Sequence, residues 1–92
     1  MFFEFTRHAY LKLNERDIKE SEVMQVFQHP EEIFLDTQTG NIVMVGDRIS
    51  KSGHKLIVVF SEDMKKIITL IDTSKIDLIN NRKERGRWIK IK

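Results

Sequence analysis

Two almost unbroken apolar runs constrain this chain more than any other feature. Lys55 to Ser61 reads Lys-Leu-Ile-Val-Val-Phe-Ser, and Lys66 to Thr73 reads Lys-Ile-Ile-Thr-Leu-Ile-Asp-Thr. A half-exposed strand alternates apolar and polar residues. Continuous runs therefore suit central strands covered on both faces, or on one face plus an edge. Glu62-Asp63-Met64-Lys65 between them reads as a hairpin loop. With 92 residues, the chain can build one thin core and not two.

The elements around this hairpin follow from local signals. Phe2, Phe3 and Phe5 precede Thr6, which reads as the N-cap of a helix over about Arg7 to Arg16. Ala9 and Leu13 lie four residues apart on its apolar stripe, whereas His8, Lys12 and Arg16 form a polar, basic stripe at the same spacing. Asp17 and Ile18 break this helix. A second, from about Glu20 to Gln28, buries Val23, Val26 and Phe27 and ends at His29-Pro30, since a residue before proline is pushed out of the α region. Its first turn carries Glu20 and Glu22, which suit the macrodipole. Glu32 to Asp36 and Ile42 to Ile49 read as strands, with Thr37 to Asn41 a turn, Gly46-Asp47 a bulge and Ser50 to Gly53 a second turn. The expected fold is α+β, with two N-terminal helices packed on one face of a twisted, mostly antiparallel sheet of about four strands.

The last segment divides the expectation. Residues 1–74 form the α+β domain, and 75–92 form a basic C-terminal segment docked on it or free. Ile76, Leu78 and Ile79 seed a short helix or dock beside the sheet, and Trp88 to Lys92 alternates like a strand. The net charge of +2 conceals an asymmetry. Residues 1–74 carry 9 Lys/Arg against 12 Asp/Glu, and residues 75–92 carry 7 against 2. Such a division suggests an acidic partner, nucleic acid foremost, against the plainer reading of a solvated end.

Composition excludes several classes of chemistry. Without cysteine there is no disulfide framework, thiolate zinc site or cysteine nucleophile. The spacings of His8, His29 and His54 give no metal-site signal, so no metal and no cofactor is expected. No apolar run approaches the roughly 20 residues of a transmembrane helix. Glu4, Arg7 and His8 interrupt any signal-peptide core, which makes a cytoplasmic location the default expectation.

An ordered series of short motifs runs through the chain. It comprises Phe5-Thr6-Arg7-His8-Ala9, Glu15-Arg16-Asp17-Ile18, Val23 and Phe27, His29-Pro30-Glu31-Glu32-Ile33, Leu56-Ile57-Val58-Val59-Phe60 and Ile67-Ile68-Thr69-Leu70-Ile71. The series resembles the family called domain of unknown function 4258, over about Phe3 to Ile71. The resemblance implies in turn a RelE/ParE-like ribonuclease toxin fold, with metal-independent RNA cleavage in a toxin–antitoxin setting. The chain departs from the pattern at Asp17, where the family has Gly, and at Lys19, where it has a capping Ser or Thr. Asp is among the few residues that tolerate positive φ, and Lys cannot accept a capping bond.

Under this reading His8 is the acid or base. Cleavage needs a base for the 2′-hydroxyl proton and an acid for the leaving 5′-oxygen, and histidine changes charge near neutrality. Arg16, roughly 12 Å further along the helix axis, would stabilise phosphate charge. Thr69, the polar residue of its strand, shares a face with Ile67 and Ile71 and would orient His8 or bind phosphate. Each has a plainer role beside this one: helix ordering for His8, a salt bridge for Arg16, an ordinary β-branched strand residue for Thr69. His54 reads as a second acid/base or a surface turn residue, and Arg48 as a further phosphate contact. Arg82, Lys83, Arg85, Arg87, Trp88 and Lys90 form an RNA-gripping segment in which Trp88 receives a base, unless Trp88 folds into the core. The expected activity is that of a small RNA-binding protein acting as an endoribonuclease. The alternative is a non-catalytic nucleic-acid-binding or protein-interaction module. Expected partners are RNA, an acidic antitoxin-like protein and a second copy of the chain through a sheet edge, with no membrane.

Overall fold

The computed structural model describes residues 3–92; Met1 and the Phe2 of the opening aromatic cluster lie outside them. In chain order the elements are β1 (Glu4–Phe5), α1 (Arg7–Glu15), α2 (Glu20–Gln28), β2 (Glu32–Asp36), β3 (Ile42–Asp47), β4 (Lys55–Phe60), β5 (Lys66–Thr73), α3 (Ile76–Glu84) and β6 (Trp88–Lys90). The six strands form one sheet in the order β1-β5-β4-β3-β2-β6. It is mixed: β1 runs parallel to β5, and the other pairs are antiparallel.

This corrects the expectation of two N-terminal helices on about four strands. The described residues hold three helices and six strands, and the helices cover both faces. On one face Ala9 and Leu13 of α1 and Val23 and Val26 of α2 meet Leu56, Val58, Phe60, Ile67 and Leu70. On the other, Ile79 of α3 and Trp88 meet Phe34, Val43, Val45, Ile57 and Val59. Covering on both sides is what lets β4 read Leu-Ile-Val-Val-Phe without a polar residue, all five being buried. The continuous runs left open whether both faces or one face plus an edge are covered, and residues 75–92 decide it by supplying a second layer. They form α3 and β6, and Trp88, 4% exposed, stacks on Phe34 with ring centroids 5.5 Å apart.

Local signals account for most of the boundaries. Thr6 caps α1, its Oγ1 accepting from the Ala9 N–H at 3.1 Å. The same hydroxyl donates to the Ile68 carbonyl at 2.8 Å and ties the helix to β5. Phe3 packs its ring against Phe27 and Phe60 at 4.8 and 5.0 Å, which brings the chain start beside β5. After α1 the Ile18 N–H reaches back to the Leu13 carbonyl at 2.8 Å, and Asp17 sits at φ 52°. This is the left-handed closure of a Schellman motif, with Asp in place of the usual Gly. Lys19 precedes α2 and caps nothing with its side chain; instead the Glu22 carboxylate accepts from the Lys19 N–H at 3.3 Å, the reverse half of a capping box.

Two strand details differ from the sequence reading. Gly46 is no bulge, since it stays in register opposite Leu56. A Cβ there would lie 3.2 Å from Val26 Cγ2, so the missing side chain at Gly46 makes room for the close approach of α2. The irregularity falls instead in β5: Val59 pairs with Thr69 but Phe60 with Ile67, leaving Ile68 extra. Ile67 consequently faces α1, whereas Ile68 and Ile71 face α3.

If Trp88 closes the second core, Trp88→Ala should destabilise the domain by about 3–5 kcal/mol in urea unfolding. Arg85→Ala, on the exposed side of the same segment, should change stability by less than about 0.5 kcal/mol. Equal small effects would mean that the segment is not integral to the core.

Candidate functional site

The described residues concentrate polar groups in two places, one on each side of the sheet. The first lies where the α1–α2 corner meets the ends of β3, β4 and β5, with Arg48 at its centre. The guanidinium is 4% exposed and donates four hydrogen bonds. Nε reaches Glu22 Oε2 at 3.1 Å and Nη1 reaches Asp72 Oδ2 at 2.9 Å. Nη2 reaches the carbonyl oxygens of Arg16 and Asp17 at 3.0 and 2.8 Å. Ser50 Oγ donates to Glu22 Oε2 at 2.8 Å, and His54 Nδ1 lies 2.8 Å from Asp72 Oδ1.

Burial by itself would raise the pKa of both acids. For Glu22 the Ser50 hydroxyl, the Lys19 N–H and Arg48 outweigh it and hold the carboxyl below its usual value. For Asp72 the bond to His54 and the charges of Arg48, His54 and Lys51 do the same. An ionised carboxylate only accepts, so His54 donates from Nδ1, and Nε2 is its remaining site. The imidazole is thereby oriented by a carboxylate, an arrangement suited to proton transfer, on a side chain about one-quarter exposed.

The second concentration lies on the α3 side. Thr73, Lys75, Asp77, Leu78, Asn81, Arg82 and Arg85 line an open groove of about 360 Å³. A crevice of about 160 Å³ adjoins it through Arg82 and brings Thr69, Arg87 and Trp88 together with Asp36. Four cations of the basic segment are occupied. Lys83 Nζ lies 3.3 Å and Lys90 Nζ 3.8 Å from Glu32 Oε2, and Arg87 Nε 3.3 Å from Asp36 Oδ2. Arg82 stands over the Trp88 ring at 5.6 Å from its centroid. Arg85 is exposed at the groove. Buried between Phe34 and Arg82, Trp88 presents no face on which a base could stack.

The residues read as catalytic do not converge. His8 and Arg16 are exposed on α1, and among the described residues neither side chain makes a hydrogen bond or ion pair. Thr69 lies across the sheet, facing the α3 side with Ile71 and not with Ile67, because the β5 bulge reverses its orientation. Arg16 contributes its backbone carbonyl to Arg48. What the motif reading missed is the Glu22–Arg48–Asp72 cluster. Its trace in the sequence is one carboxylate inside the apolar pattern of α2 and another inside that of β5. Among the described residues no group of three or more His, Asp or Glu is placed to hold a metal ion.

Two predictions follow from the cluster. Arg48→Met should destabilise the fold by about 3–5 kcal/mol in urea unfolding, because it strands two buried carboxylates without their counter-charge. The pH dependence has a definite sign. Glu22, Asp36 and Asp72 have lowered folded pKa values, so the unfolded chain binds more protons on acidification. Their contribution is full above the unfolded carboxylate range of about 4 and is lost as pH falls through the folded values. Melting temperature should therefore drop steeply below about pH 4; a flat profile from pH 5 to 2.5 would contradict the assignment.

No curated protein and no solved structure matches the chain. A family model does match, over residues 5–72, from the strand before α1 to the Asp72 that receives Arg48. The chain thus belongs to the family described as Domain of unknown function (DUF4258).

Proposed function

We propose that this protein is an RNA-binding domain that takes a single strand along α3, acting as a binder and not as a nuclease built on His8. The observation that carries the reading is the groove lined by Lys75, Arg82 and Arg85 with Asp77 its one carboxylate. Cations there would follow the phosphate backbone, where neutralised charge supplies most of the affinity. Leu78 offers an apolar floor, and Asn81 and Thr73 offer groups able to donate and accept toward base edges or a 2′-hydroxyl. A groove of about 360 Å³ matches a ligand-sized unit better than a duplex.

The placement of the remaining candidates supports binding over cleavage. His8 and Arg16 stand on α1, across the sheet from the groove, so a strand held by α3 does not meet them. Lys83, Arg87 and Lys90 are engaged by Glu32 and Asp36 and add little net positive potential.

The test is fluorescence anisotropy with a labelled 12-nucleotide RNA across a salt series. Wild type should bind with log K falling linearly in log salt. The variant carrying Lys75→Ala, Arg82→Ala and Arg85→Ala should lose about 2 from that slope, at roughly 0.7 per phosphate contact for single strands. His8→Ala should bind as wild type does, and the RNA should be recovered intact. Binding indifferent to the triple change would refute the groove, and cleavage abolished by His8→Ala would refute a purely binding role.

A further inference from the structure

The crevice of about 160 Å³ beside the α3 groove shares Arg82 with it and lies between β5 and the turn at residues 37–41. Its apolar side is Val59 of β4 with Ile68 and Ile71 of β5, the last two only partly buried against the second core. The β5 bulge builds this side, because the extra residue turns both Ile68 and Thr69 toward it. Several polar side chains line the same space. Among the described residues the Thr69 hydroxyl and the Asn41 amide make no hydrogen bond, and Arg82 stands over the Trp88 ring without a hydrogen-bonded partner. Arg87 commits Nε to Asp36 Oδ2 and keeps its two Nη nitrogens. Asp36, in contrast, is saturated: Oδ1 accepts from the Gln38 and Thr39 N–H groups and Oδ2 from Arg87. A concave apolar surface carrying a few uncommitted polar groups is the usual form of a site for a small flat ligand.

We propose that the crevice takes one unstacked pyrimidine base of the strand held along α3, and selects uracil over cytosine. The inference rests on the RNA reading of the groove and adds a base preference to it. Size argues for a single ring: a cavity of about 150 Å³ is filled by one benzene. Hydrogen bonding argues for uracil. Guanidinium groups only donate, so Arg82 and Arg87 call for acceptors on the base edge, and the Thr69 hydroxyl or Asn41 amide oxygen can accept from one N–H. Uracil offers two carbonyl oxygens flanking N3–H. Cytosine replaces one of those oxygens with an amino group, which sets a donor against donors. Because Arg82 borders both spaces, a strand following the groove can turn a base into the crevice without leaving its phosphate contacts.

The test measures anisotropy of labelled 12-nucleotide oligo-U, oligo-C and oligo-A against the full chain, each across a salt series. Oligo-U should bind about tenfold more tightly than either of the others, the discrimination expected of one well-placed base contact. Thr69→Val removes the hydroxyl and keeps a β-branched strand residue, so the melting temperature should hold. It should reduce the preference for U over C to less than about threefold and leave the salt slope as in wild type. Asn41→Ala should act in the same direction, and a preference intact in both variants would overturn the proposal. Equal binding of oligo-U and oligo-C, with the salt dependence retained, would overturn it while leaving the groove reading in place. Absence of any RNA binding would overturn both. Uridine 5′-monophosphate is the remaining arm: it should compete only weakly, and displacement at concentrations matching oligo-U itself would make the crevice a free-nucleotide site and overturn its role in reading a strand.

Discussion

The Arg48 guanidinium joins parts of the chain that nothing else in the structure joins in this way. It draws Glu22 from α2, Asp72 from the end of β5 and two backbone carbonyls from the α1–α2 corner onto one planar group. The corner depends on it in a specific sense. A Schellman closure turns carbonyls away from the helix, and those of Arg16 and Asp17 meet a buried donor and not water. In turn, Glu22 orders the start of α2 through the Lys19 N–H, where a capping side chain is missing. Buried charges of this kind contribute little net stability over an apolar alternative but make every partial arrangement costly. The cluster therefore acts mainly on geometry: it sets how the helical layer sits on the sheet.

The second layer rests on a different force. Phe34, Ile57 and Val59 face away from α1 and α2, and in a sheet covered on one side they would meet water. α3 and β6 cover them, with Trp88 as the largest contributor. This coverage changes the meaning of the basic segment. Its cations are the rim of a core element, most of them held by Glu32, Asp36 or an aromatic ring. Of the cations left over, Lys75 and Arg85 border the groove along α3, and Lys92 stands apart from it. An asymmetry of charge along the sequence thus becomes, in space, a local groove instead of a basic tail.

Much of the fold was legible one element at a time. Thr6 as a cap, Asp17 at positive φ, the bounds of α2 and the hairpin of β4 and β5 are governed by residues within a few positions of each other. The site was less legible, for the opposite reason. Arg48 finds partners 24 to 32 residues away, and its role depends on which carboxylates the fold delivers. His8 and Arg16 share a helix stripe, which the sequence reports correctly, but Thr69 was assigned by strict alternation, and a single extra residue at Ile68 moved it to the other face. Gly46 misled in the same way. Its lack of a side chain serves the approach of Val26, which no local pattern encodes.

What the sequence determined by itself was α1, α2, the four strands β2 to β5 and most of their caps and turns, because propensity, capping and periodicity are short-range. It also determined what the chain cannot use, thiol chemistry above all. What only the tertiary structure decided was which segment covers the second face, which acids meet Arg48 and which cations stay free. Those outcomes rest on burial and charge pairing between distant residues, and their energies exist only once the sheet has brought the residues into contact.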